Sequence, residues 1–182
     1  MRTRATVAAL ALCLGMMTGC ASLEGTALHD GGMPLVYEED FDGPVDLGAW
    51  TMTDASKWTL VEERQGRALK LLGGSDYAPP VRSPRNIALA PIPELGSFVL
   101  EARMKQTGRE YGHRDLCVFF GYTDPSHYYY VHLATKADAH ANSIFLVDGA
   151  PRVSIALERT SGTHWGQDLY HTVRVERDAE SG

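Results

Sequence analysis

Cysteine is scarce in this chain: Cys13, Cys20 and Cys117 are the only three in 182 residues. The first two lie in or at the end of a leading apolar stretch, so the body holds Cys117 alone and no internal disulfide framework can form. Its alternating context, "DLCVFFGY", reads as a strand with a small residue in it rather than a reactive thiol. Positive charge is also in deficit, with 17 Lys and Arg against 23 Asp and Glu and a formal charge of −6. That balance argues against nucleic acid as a partner. The leading apolar run, from about Ala5 to Met17, is too short to cross a bilayer core of roughly 30 Å as a helix. Helical periodicity is missing throughout, which excludes a helical bundle.

What is present at the start is "MRTRATVAALALCLGMMTGC": Arg2 and Arg4, then the apolar run, then Met17-Thr18-Gly19-Cys20. This order resembles the bacterial lipoprotein signal, with Met17 where a leucine is usual. The resemblance implies lipidation at Cys20, a membrane partner reached through that anchor, and an extracytoplasmic location in the periplasm or at the cell surface. Residues 1–19 are then the signal peptide and 20–36, "ASLEGTALHDGGMPLV" after the cysteine, a small-residue tether. Loss of Arg2 and Arg4 takes the charge to −8, from 15 basic and 23 acidic residues. Residues 37–182 have the size of one domain with a single core.

Within that domain, short alternating runs rich in β-formers recur between Gly, Pro and Asp turns: "KWTLVEE", "RALKLLG", "SFVLEARMK", "DLCVFFGY", "HYYYVHLAT", "SIFLVD", "RVSIALE" and "HTVRVER". Strands without helices predict an all-β, antiparallel sandwich or barrel. The order of "FDGPVDLGAW", a W-x-L-x-x-x-x-x-G-x-A-L hairpin and "GSFVLEARMK" leading into a meander resembles the concanavalin A-like lectin/glucanase superfamily, including laminin-G-like and 3-keto-disaccharide hydrolase-type domains. It implies a jelly-roll β-sandwich that binds or processes glycans. Members continue past the point reached by "HTVRVERDAESG", so a C-terminally truncated sandwich is expected.

The hairpin around Asp124-Pro125-Ser126-His127 sorts its side chains by alternation. With Gly121 opposite Tyr130, Phe119 opposite His132 and Cys117 opposite Ala134, the residues Leu116, Val118, Phe120, Val131 and Leu133 form one stripe, expected as core. Tyr128, Tyr130, His132 and Lys136 share the other face, expected to be outward, and His113 and Asp138 extend it. The next hairpin, turning at Asp148-Gly149-Ala150-Pro151, is expected to send Ile144, Leu146, Val153 and Ile155 inward and Ser143, Phe145, Arg152 and Ser154 outward.

An aromatic face with polar tips suits sugar rings and hydroxyls. Tyr130, His132 and Arg152 are the candidate catalytic residues, and His113, Arg114, Asp115, Tyr128, Lys136, Asp138 and His140 the candidate ligand-binding ones. Three functions fit: a hydrolase-type enzyme, a non-catalytic carbohydrate-binding or surface-recognition module, and a polysaccharide lyase using Arg against a uronate carboxylate. "ERDAE", 176–180, has the letters of the glucanase Glu-x-Asp-x-Glu strand, but Arg177 and Ala179 replace the apolar alternates and the stretch reads as a hairpin end. Asp138-x-His140 and His113-x-Asp115 fall short of a zinc set and further short of a calcium set, so no metal or other cofactor is expected and a structural calcium has no support.

Overall fold

A computed structural model describes residues 33–181 and the backbone of Ala5–Val7. The remaining leader residues, Cys20 and most of the expected tether lie outside the described residues; Met33, at the tether's end, is buried.

The architecture is all-β. A meander of β7 (Asp115–Asp124), β8 (His127–Ala134), β9 (Ser143–Asp148) and β10 (Val153–Ser154) forms an antiparallel sheet. In a second sheet, β6 (Phe98–Lys105) pairs antiparallel with β11 (Tyr170–Arg177) and parallel with the backbone of β1 (Ala5–Val7). Two smaller pairs complete it: β2 (Thr51–Met52) with β5 (Ala88–Leu89), and β3 (Trp58–Glu63) with β4 (Gly66–Leu71). Among the described residues helix is confined to the single 3-10 turns Leu47–Ala49 and Ala55–Lys57, each capped by an aspartate, Asp46 or Asp54, accepting from a backbone N–H two residues on. Each run read as a strand in the sequence is one, although "RVSIALE" supplies only Val153–Ser154.

The β7–β8 register differs from the expected one by two residues over most of its length. Asp124 does pair with His127, and the Asp124 carboxylate accepts from the Ser126 N–H at 2.7 Å. Beyond a bulge, however, Phe119 faces Tyr130 and Cys117 faces His132. The extra residues sit between Phe120 and Asp124, where Gly121 takes φ +57°. A slip of two conserves which residues share a face, because side chains alternate with period two.

What reverses is which face is shielded from solvent. Tyr128 and Tyr130 are 2% and 0% exposed, and with Phe145, Val147 and Ile87 they make the core cluster. Rings stack along it: Phe119 on Tyr130 at 5.6 Å, Tyr130 on Phe145 at 5.2 Å, Tyr122 on Tyr128 at 5.4 Å. Of the stripe expected as core, Val118 is buried while Leu116, Phe120, Val131 and Leu133 are half-buried, Phe120 against Phe98 of β6. On the next hairpin Ile144 and Val153 are exposed, and Ser143 and Phe145 are buried. The aromatic face is therefore inside.

The covering element is the largely irregular segment before β6, which lays Val81, Ile87 and Leu89 on the rings. It is held by Thr53, whose N–H donates to the Ile87 carbonyl at 3.1 Å while its Oγ1 accepts from the Ile87 N–H at 3.1 Å and donates to the Arg85 carbonyl at 2.7 Å. Phe119, Tyr128, Tyr130 and Phe145 pack ring against ring under this cover, and burying that much aromatic surface is favourable even though the Tyr128 and Tyr130 hydroxyls are buried without well-formed hydrogen bonds among the described residues.

Candidate functional site

The same sheet face that is shielded along its middle opens at one end into a groove of about 870 Å³. The meander contributes Asp115, Cys117, Phe119, His132 and Arg152 to its lining, and the flanking loops add His113 and His140. The β3–β4 and β6–β11 pairs contribute Trp58, Glu63, Arg103, Lys105 and Tyr170, with Asp168 from the loop before β11. A volume of this size is within the usual range for small-molecule and cofactor sites.

His132 is held from both sides. Its Nδ1 accepts from the Asn142 N–H at 3.1 Å, so a neutral ring carries its proton on Nε2, which lies 3.2 Å from Asp115 Oδ2. Asn142 is itself fixed in the left-handed region at φ 55°, its side chain accepting from the Ala134 N–H and donating to the carbonyl and hydroxyl oxygens of Thr160. The imidazole thus has no free nitrogen. It fixes Asp115 at Oδ2, and among the described residues no hydrogen bond or ion pair engages the other carboxylate oxygen of Asp115 in the groove lining.

A second charged cluster centres on Lys105. Its Nζ donates to Glu63 Oε2 at 2.6 Å, lies 2.7 Å from Asp168 Oδ1, and sits 4.9 Å from the Tyr170 ring centroid. Burial alone would pull the ammonium's pKa down, but the hydrogen bonds to Asp168 and Glu63 outweigh it and hold the value above the usual 10.5. Asp168 is correspondingly held below the usual carboxylate range by Lys105.

Tyr130 lies behind the lining rather than in it. Burial pushes its phenol well above the ordinary range, with the Arg152 guanidinium opposing, and among the described residues the hydroxyl makes no hydrogen bond of ordinary geometry. Burial likewise pushes the Cys117 thiol far up, which keeps it protonated. Tyr128 is core. Arg114, 2% exposed, is a structural tie: Nη1 donates to the Gly166 carbonyl at 2.7 Å and Nη2 to the Gln106 carbonyl at 2.5 Å. Lys136 and Asp138 are exposed and outside the lining; Asp138 pairs with His113 at 3.4 Å and accepts from the His140 N–H at 2.7 Å. Among the described residues no group of three His, Cys, Asp or Glu is placed to hold a metal ion.

Within "ERDAE", Glu176 lies on β11 beside Arg174, and Asp178 accepts from the Glu180 N–H in a turn away from the groove. Trp165 is buried edge-on against His171 at 5.3 Å. The Lys105 cluster escaped sequence reasoning because Glu63, Lys105 and Asp168 lie on separate elements. The only local signal is the alternation Glu101, Arg103, Lys105 along β6. No protein-family model, curated protein or solved structure matches this chain.

Proposed function

We propose that the chain is an exported protein, lipid-anchored through Cys20, that binds glycans in this groove on a concanavalin A-like sandwich. The groove carries the reading: Trp58, Phe119 and Tyr170 present ring surface beside Asp115, Lys105 and Arg152, which is the mixture sugar faces and hydroxyls use. The antiparallel meander and the Phe98–Phe120 contact between the two main sheets support the sandwich.

One observation favours binding without turnover. Glu63 and Asp168 are both engaged by Lys105, Glu39 accepts from the Phe41 N–H, and His132 has neither nitrogen free, so an acid/base role in a hydrolase falls to Asp115. A lyase that draws a proton with Tyr130 is disfavoured by the buried, raised phenol. The deciding measurement is a glycan-array and depolymerisation screen of the wild type, followed by Asp115→Asn on any hit. A binding module gives affinity with no products. A hydrolase gives products, and Asp115→Asn lowers its turnover by roughly 10²–10⁴-fold with affinity little changed. A wild-type protein that neither binds nor cleaves any glycan overturns the reading.

A further inference from the structure

The groove departs from the rest of the molecule in charge. The chain has fewer basic than acidic residues, 17 against 23. The groove lining reverses this, with seven Arg and Lys against four Asp and Glu. Fields from such a lining focus in a cleft with low-dielectric walls and favour a ligand of opposite sign.

On the meander side of the groove the pairing leaves one cation among the described residues, Arg152, without a carboxylate. Lys105 has two carboxylates, and Asp115 is matched to His132. Among the described residues Arg152 pairs with no carboxylate, and its Nε is buried without a hydrogen-bond partner. Its other contacts fix it in place without neutralising it. The backbone N–H donates to the Arg82 carbonyl at 3.2 Å, Nη2 donates to the His140 carbonyl at 3.1 Å, and the guanidinium carbon sits 5.5 Å from the Phe145 ring centroid. Its charge is felt by the Tyr128, Tyr130 and Cys117 groups around it, none of which ionises to balance it. The guanidinium is half-buried, so an anion docking on it gains a charge-assisted contact with a cation that has no counter-charge of its own. Nε is buried, so an oxyanion would be taken at the Nη end of the planar guanidinium, which is the end that faces the groove lining.

We propose that the ligand is an acidic sugar, carrying a carboxylate or a sulfate ester, and that Arg152 anchors its oxyanion. This rests on the glycan-binding reading above and narrows it to a substrate class. The unclaimed side of Asp115 would then face a neutral part of the same ligand, since two like charges side by side repel.

The test titrates the full chain with three sets of oligosaccharides of matched length: neutral, uronate-containing and sulfated. The expected result is binding to one or both acidic sets, at least roughly tenfold tighter than to the neutral set, weakening as salt rises. The two acidic arms tell carboxylate from sulfate. Arg152→Met should remove most of that preference, and Arg152→Lys should retain part of it through charge alone. Preferential binding of neutral sugars, or equal binding of acidic sugars by wild type and Arg152→Met, overturns the acidic assignment and leaves the glycan groove standing. Absence of binding to all three sets overturns both. Should Arg152→Met not fold, the wild-type preference and Arg152→Lys decide.

Discussion

Tyr130 is a polar-tipped residue in an alternating strand, and by itself that pattern places it on a wetted face. In the fold it is sandwiched between Phe119 and Phe145 and fully shielded. Truncation therefore acts on stability first: Tyr130→Ala should cost about 3–5 kcal/mol, as a large aromatic removed from a packed core does, read by urea denaturation. Tyr130→Phe separates ring from hydroxyl. Because the hydroxyl is buried without a partner, its removal should leave the melting temperature at or above the wild-type value. A lower melting temperature would mean the hydroxyl is satisfied, most directly by Arg152.

The β7–β8 hairpin shows how an element departs from its pattern. Its turn was legible, since Pro125 presets one dihedral and Asp124 closes the next N–H. The bulge was not, because three residues, Gly121 to Thr123, oppose Tyr128 alone and nothing in a two-residue alternation marks that. Gly121 is the one residue there whose type records it. At φ +57° an added Cβ would enter the left-handed region and meet Tyr129 at 3.1 Å. Gly121→Ala should cost about 1–2 kcal/mol, measured by urea denaturation. An unchanged midpoint would show that the strand pairs without its bulge, in the register read from the turn.

At the scale of the whole molecule, three aspartates share one response to acid. Asp168 is held below its usual value of 3.8 by Lys105, Asp124 by the hydrogen bond from His127, and Asp138 by the His140 N–H. A carboxylate whose folded pKa is depressed contributes stability that is complete above its unfolded value and lost as pH falls through the folded one. The melting temperature should thus hold level down to about pH 5 and fall below about pH 4, and Lys105→Met should flatten part of that fall. A melting temperature level down to pH 2 would contradict these pairings. What the sequence by itself determined was the class and the local hairpins: alternation with β-formers marked the strands, and turn residues marked both hairpins of the meander. The tertiary structure alone decided which face is buried, because alternation separates two faces without saying what will cover either. The cover here is an irregular segment with no period to read, laid over aromatic rings that pack on one another. It alone also decided the site, since Glu63, Lys105, Asp168 and Arg152 meet only when separate sheets come together, and a charge counts as paired or unpaired only once its neighbours in space are known.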